Sequence, residues 1–405
     1  MTKVMEGVRV LEVAMWGFVP STGAVLADWG AEVIKVEHPE TGDPMRGLTT
    51  AGLGTSHRGV SFMWEIFNRG KRDIGIDVST PGGHEVLMAL VDRSDVFLTN
   101  FLPSARANLA IDVADVMARN PGIIYARGTG QGPRGAEADK GGFDAISYWF
   151  RAGAGSGVTP ADGDWPLRMP GPAFGDVQAG MMLAGGIGAA LAYKARTGKG
   201  VVVDASLLAA GMWAMQPAIV GTQITGLPDL PHRGRSDPAN PLATIYRTSD
   251  GRFIALSILQ ADRYWPSFCQ AIGHPELTSD PRFATHEARV ANGELTIRTL
   301  DAIFGAESLE VWTRRLAAQE GQWDVVRMPS ELSSDQQAVT NGYLSRVTYP
   351  SGIALDLVTA PVQFDETPAE LGPAPELGAE TEQILLDLGY SWDDIIALKD
   401  DHAVT

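Results

Sequence analysis

Residues 171–180 read GPAFGDVQAG, and the run MMLAGGIGAALAYKARTGKG follows directly. Asp176 therefore stands at the mouth of an apolar, small-residue helix, between Gly175 and Gly180. Two readings are open. An Asp before a helix ties off backbone N–H groups as an N-cap, stabilising the helix by roughly 1 kcal/mol. Alternatively, the small residues around it (Gly175, Ala179, Gly180, then Ala184-Gly185-Gly186) leave room for a substrate group or a packed partner helix. On that reading the helix N-terminus helps to keep the carboxylate ionised, as a nucleophile requires.

The densest basic cluster is NRGKRDIGID, with Arg69, Lys71 and Arg72 inside four residues and Gly70 between them. It is either a solvated turn or an anion site, in which a glycine lets backbone N–H groups approach a phosphate beside the cations. Other chemistry is missing. There is no phosphate loop of the G-x-x-x-x-G-K-[ST] type, no G-x-S-x-G elbow and no H-E-x-x-H pair. The seven histidines do not cluster at metal-ligand spacing, so no metal is expected. The turn AMWGFVPSTG after the first strand lacks the G-x-G-x-x-G of dinucleotide binders, and a nicotinamide cofactor is not supported.

The elements that must position these residues follow a β-α-β rhythm. VRVLEVA, EVIKVEHP, RDIGIDV, DVFLTNF and GIIYARGTG read as strands, separated by helical stretches such as PSTGAVLADWGA, STPGGHEVLMALVDRS and AIDVADVMARNP. That alternation predicts an α/β fold, a doubly wound parallel sheet with right-handed crossovers. Ligands then bind at the carboxyl ends of strands, here Met15–Phe18, His38, Asn100–Phe101 and Gly128–Gly130. Residues 151–175, rich in Gly and Pro, read as a loop or lid. After the small-residue helix, VVVDASLLAAGMWAMQ reads as a strand and then a helix. A loop-rich stretch near 225–240 suggests a boundary. Beyond it, ATIYRTSDGRFIALSI predicts a hairpin turned at Asp250-Gly251, and helical patterns follow. The expected domains are a large one over 1–227, a smaller α+β domain over 228–328, and a return to the large domain over 329–405.

Composition sets the outer bounds. The chain has 405 residues, 44% hydrophobic and 20% charged, as a globular protein requires. A single cysteine, Cys269, excludes an intramolecular disulfide and points to a reducing compartment. With no signal peptide and no apolar run long enough for a span, a cytoplasmic protein without membrane partners is expected. The net charge of −17 argues against nucleic acid. From residue 361 onward there are 11 acids against one lysine, Lys399, which predicts a solvated acidic surface there.

Taken together, MEGVRVLEVA…LADWGAEVIKVEHPETGDPMRG, FNRGKRDIGIDVSTPGGHEVLMALVDRSDVFLTNFLP and GDVQAGMMLAGGIGAALAYKARTGKG resemble the class III CoA-transferases, the CaiB/BaiF family. DPRFATHEARVAN and the ending LGAETEQILLDLGYSWDDIIAL extend the likeness over nearly the whole chain. The resemblance implies an interlocked homodimer, each chain a Rossmann-like large domain with a smaller one. It implies no tightly bound cofactor, coenzyme A and acyl-CoA being substrates. It makes Asp176 the nucleophile that moves CoA from an acyl-CoA donor to an acid acceptor, through an aspartyl anhydride and an aspartyl-CoA thioester. It places Gly17, Phe18, Asn68, Arg69, Lys71, Arg72, Asn100 and Phe101 against CoA. The family's usual Arg after the second strand is His38 here. Its basic residue eight positions after Asn100 is Asn108, with Arg106 two residues off and Lys140 as a compensating cation.

The related α-methylacyl-CoA racemases pair a His with the Asp for α-proton exchange. The matching stretch here is GGFDAI, with Phe143 in place of that His, and a phenyl ring cannot shuttle a proton. A transferase is therefore expected ahead of a racemase or isomerase, and ahead of a CoA-binding protein without turnover. Trp16, Phe18, Phe143, Tyr148 and Trp149 are candidates for an apolar acyl pocket, or else core.

Overall fold

The structure, a computed structural model, describes residues 2–48, 60–161, 163–230, 234–235 and 237–405. Residues 231–233 and 236 of the boundary expected near 225–240 lie outside the described residues. The chain divides into two compact units: Met1–Val158, Pro166–Pro228 and Ser333–Thr405 form one, and Thr159–Trp165 with Asp229–Leu332 form the other.

The larger unit is built on six strands, β1 (Arg9–Val13), β2 (Glu32–Glu37), β3 (Arg72–Gly75), β4 (Val96–Thr99), β5 (Ile124–Thr129) and β6 (Val202–Ser206). They lie in the order β3-β2-β1-β4-β5-β6, all parallel. The near-continuous apolar character of β1 and β4 reflects burial on both faces. The helices are α1 (Phe18–Asp28), α2 (Phe62–Asn68), α3 (Pro81–Asp92), α4 (Pro103–Asn108), α5 (Val113–Arg119), α6 (Ala154–Gly157), α7 (Phe174–Thr197) and α8 (Leu207–Ala214). One face of the sheet is covered by α1 and α7, through Phe18, Leu26, Ala184 and Ile187. The other is covered by α3, α5 and the C-terminal helix Thr381–Leu388, through Val86, Leu90, Val116 and Ile384. Strand order reverses between β1 and β4, so the loops leaving these two strands part and open a crevice at their carboxyl ends.

Close helix packing explains Gly180 of α7, whereas Gly185 has open space beside it. A Cβ on Gly180 would overlap Ser21 Oγ of α1, and Thr22 Oγ1 donates to Gly180 O at 3.1 Å. The glycines first read as space around Asp176 therefore divide into two groups, and Gly180 serves the helix contact.

The acidic C-terminal region is packed rather than loose. Glu380 accepts from Asp73 N at 2.7 Å, Asp387 pairs with Arg72 at 3.1 Å, and Thr405 N donates to Gly75 O at 3.2 Å. Before it, Leu344–Thr348 and Ala354–Val358 form an antiparallel pair.

The smaller unit holds a three-stranded antiparallel sheet, β7 (Ile245–Arg247), β8 (Phe253–Leu256) and β9 (Trp323–Val325), with four main helices around a core of Trp265, Phe268, Phe304 and Trp312. The hairpin turns at Gly251 (φ 76°) as the Asp-Gly pair predicts, while β9 carries no alternation that would have marked it in advance.

Candidate active site

Asp176 is the third residue of α7, and no side-chain capping bond is made at that helix start, whose cap position is Ala173 in the left-handed region (φ 61°). The cap reading of Asp176 is corrected by a neighbour. Asp144, from the GGFDAI stretch, accepts from Gly175 N at 3.1 Å and also holds the Asp176 N–H. A carboxylate borrowed from another element thus satisfies the first N–H groups of α7, and the Asp176 side chain is released from that duty. A Cβ on Gly175 would lie 2.6–2.9 Å from Tyr148 and Asp144 atoms, so only glycine admits that approach.

The Asp176 carboxylate faces the turn after β1. A Cβ on Gly17 would overlap Asp176 Oδ2 and stand 3.1 Å from its Cγ. The space beside the carboxylate is thus a property of Gly17, across the sheet's switch point. Among the described residues no hydrogen bond reaches the carboxylate. Burial, and after it the negative charge of Asp144, push its pKa up to about 8. This reverses the expectation that the helix N-terminus keeps Asp176 ionised. Desolvation wins because the N–H dipoles are already spent on Asp144.

The opposing turn is held on two sides. Asn100 accepts from Met15 N at 3.1 Å and donates to Met15 O at 2.6 Å, clipping the end of β4 to the end of β1. Trp16 sits at φ 69°, a conformation costly for a bulky residue. Its N–H donates to Asp43 Oδ1 at 3.1 Å, and Asp43 is paired with the buried Lys35 at 2.9 Å. Lys35 also donates to Ala14 O at 2.8 Å, so one buried ammonium supports the turn from beneath.

Gly17, Phe18, Asn100, Phe101, Phe143 and Asp176 come together around one cavity of about 580 Å³. Phe143 meets Trp16 edge-on at 5.4 Å. Behind it, residues 145–150 form a wide helical turn in which Arg151 N reaches back five residues to Ile146 O at 2.9 Å, a form frequent at functional sites. Of the other acyl-pocket candidates, Tyr148 and Trp149 are buried against Phe174 and serve as core. A neighbouring crevice of about 350 Å³ is lined by His38, Gly42 and Asp77, and Met15 and Phe101 border both spaces.

The expected cations are placed differently. Lys71 Nζ is fully buried, bonded to both Glu12 oxygens at 2.7 and 2.8 Å, to Asn68 Oδ1 at 3.0 Å and to Pro20 O at 2.9 Å. Burial lowers its pKa to about 8 against the pull of Glu12. Arg69 forks onto Asp28 at 2.7 and 3.1 Å, and Arg72, at the amino end of β3, bridges Glu32 and Asp387. Arg106 is buried and donates to Asp112 and to Phe101 O at 2.6 Å, shaping the Phe101 turn from behind. Lys140 is exposed and pairs with Glu137 at 2.9 Å. As placed, Asn68, Arg69, Lys71 and Arg72 hold the domain together, and the phosphate cradle expected of them is not a feature of this geometry.

Asp144, Asp43 and Lys35 were missed from sequence. Asp144 carried one signal, an acid before an apolar helical run. Neither of the others had one, because their work depends on contacts across the sheet. Among the described residues no helix is long and apolar enough to cross a membrane, and no group of three or more His, Cys, Asp or Glu is gathered for a metal.

Residues 5–381 match the model of CoA-transferase family III. The chain is 32% identical to (R)-2-hydroxy-4-methylpentanoate CoA-transferase of Clostridioides difficile, over 99% of both chains. It is 28% identical to cinnamoyl-CoA:phenyllactate CoA-transferase of Clostridium sporogenes, over 99% of this chain and 97% of that one. The crystal structure of a CaiB/BaiF family protein from Brucella suis superimposes with a TM-score of 0.81 at 27% identity, covering 96% of this chain and 100% of the other. A half-buried carboxylate at the switch point of a parallel sheet thus stands within a sequence matched almost end to end, and the chain belongs to CoA-transferase family III, enzymes that transfer CoA.

Proposed function

We propose that this protein moves CoA from an acyl-CoA donor to a carboxylic acid, with Asp176 as covalent nucleophile. The observation that carries the reading is the Asp176 carboxylate, relieved of capping by Asp144 and set against Gly17 at the wall of the cavity. In its ionised form it attacks the thioester carbonyl carbon; the C–S bond breaks, and CoA leaves as thiolate, giving an aspartyl-acyl anhydride. The thiolate attacks the aspartyl carbonyl, releasing the donor acid and leaving aspartyl-CoA. The acceptor carboxylate then opens that thioester to a second anhydride, and the thiolate attacks its acyl carbonyl. One thioester and one carboxylate enter and one of each leaves, so no water or cofactor is consumed.

The raised pKa of Asp176 fits this cycle. A desolvated carboxylate is a stronger nucleophile than a solvated one, and the neutral anhydride and thioester states remove the buried charge. His38 and the crevice around it are the proposed seat of the CoA nucleotide, joined to the cavity through Met15 and Phe101. A homodimer is part of the proposal, supported by apolar side chains exposed along α8 and the following helix, Trp213 and Ile224 among them. α-Proton exchange is disfavoured because, among the described residues, no histidine lines the cavity, and Phe143 occupies the wall where one would act.

The test is trapping. Incubation with an acyl-CoA and hydroxylamine should leave a hydroxamate at residue 176, read by peptide mass spectrometry, and Asp176→Ala should abolish both adduct and transfer. Full transfer by Asp176→Ala would end the proposal. Wash-in of deuterium at the α-carbon without transfer would move it to the racemase class, and binding without any adduct would leave a CoA-binding protein.

A further inference from the structure

We infer that the acyl group handled here is uncharged and apolar, branched aliphatic or aryl, and that dicarboxylic thioesters are discriminated against. The inference rests on the CoA-transfer reading and names its substrate class. Among the described residues the cavity holding Asp176 is lined by no Lys, Arg or His. Of the cations on the adjoining elements, Lys140 and Arg151 pair with Glu137, Arg106 with Asp112 and Arg127 with Asp204, while Arg134 is exposed and is not part of the cavity lining.

The neutral polar side chains of the wall at Asn100, Ser104 and Thr129 are engaged as well. Both amide atoms of Asn100 are held by Met15, Ser104 Oγ donates to Asp139 at 2.9 Å, and Thr129 Oγ1 accepts from Gly132 N at 3.0 Å. A second carboxylate on the acyl chain would enter without a counter-charge and share the space with Asp176. An unpaired buried anion is the least tolerated group such a wall can receive. Against this, Phe143 and Ile146 stand three residues apart on the wide helical turn. Both line the opening and are 54% and 56% exposed, and Trp16 meets Phe143 edge-on. Large apolar groups left uncovered in a concave wall call for an apolar occupant.

The experiment compares 4-methylpentanoyl-CoA and 3-phenylpropanoyl-CoA with succinyl-CoA and glutaryl-CoA as donors. Single-turnover release of CoA thiol and hydroxylamine trapping at Asp176 are followed for each. The expected result is a kcat/KM at least tenfold higher for the apolar pair. Phe143→Arg, a change on the cavity rim outside the core, should narrow that gap tenfold or more by supplying the missing cation. Succinyl-CoA reacting as fast as the apolar thioesters in the wild type overturns the substrate class while leaving CoA transfer intact. A gap unmoved by Phe143→Arg counts against the role given to the missing charge. Acylation of Asp176 by none of the four overturns both readings.

Discussion

Replacing Asp176 by Asn should destroy transfer and stabilise the empty protein, and the stabilisation should grow with pH. The carboxyl pKa rises from its ordinary 3.8 to about 8 on folding. Between these values the folded chain binds the proton more tightly than the unfolded chain. Stability tied to this group is therefore fully present below pH 4 and is lost as pH rises toward 8. The linkage relation gives a cost of about 4 kcal/mol at pH 7 and under about 2 kcal/mol at pH 5. The carboxylate keeps partial solvent contact, which reduces these figures to about half. Asn has the same shape and no charge, so it escapes the loss. Scanning calorimetry of ligand-free wild type and Asp176→Asn at pH 5 and pH 8.5 should give a Tm gap favouring Asn, small at pH 5 and widening to roughly 2–5 °C at pH 8.5. A gap equal at the two pH values would show that the carboxylate is not held in a desolvated site, and a wild type more stable at pH 8.5 would reverse the sign of the electrostatics.

Three further outcomes follow from the same geometry. Gly17→Ala is compatible with the local backbone (φ −101°) yet drives a methyl into Asp176 Oδ2, so kcat should fall on the order of 100-fold with Tm nearly unchanged; activity within threefold of wild type refutes the close approach. The rate of Asp176 acylation should rise with pH toward a midpoint near 8 in the free enzyme, and Asp144→Asn, which removes the neighbouring charge but keeps an acceptor for Gly175 N, should move that midpoint to lower pH; an unmoved midpoint assigns the shift to burial alone. Lys71→Met strands Glu12, leaving Lys35 at 3.4 Å as its remaining cation, and should cost about 3–5 kcal/mol by denaturant titration while CoA affinity in any folded fraction changes little; a large loss of CoA affinity without a stability loss returns Lys71 to the phosphate site.

The parallel sheet was legible because strand and helix periods alternate plainly from Arg9 to Ser206, and a switch-point crevice follows from that order. Asp176, Gly17, Phe18, Asn100, Phe101 and Phe143 were therefore placed around one cavity by motif and strand-end position together. The partners of the basic cluster were hidden for a physical reason. Charges adjacent in sequence carry no mark of which carboxylates the fold will bring to them, and Glu12, Asp28 and Glu32 all arrive from other elements. Trp16 and Ala173 were equally silent, since neither residue type advertises a positive φ. Both are imposed by their surroundings, and both flank the carboxylate they help to place.

The contact of Gly180 with Ser21 has a consequence for how such a site can change. It locks the helix bearing Asp176 to the helix that begins at Phe18, and Ser21 Oγ adds a bond to Asp176 O at 3.2 Å. The Asp176 carboxylate and the facing turn thus belong to one stiff frame, whose spacing would stay the same whichever acid entered the proposed reaction. The wall at Phe143 and Ile146, to which selection of the acyl group is assigned in the proposal, belongs to another strip of chain. Its exposed members Phe143 and Ile146 can be exchanged while Asp144 and Tyr148 of the same strip keep holding the start of α7, so new acids are open to this scaffold at small structural risk.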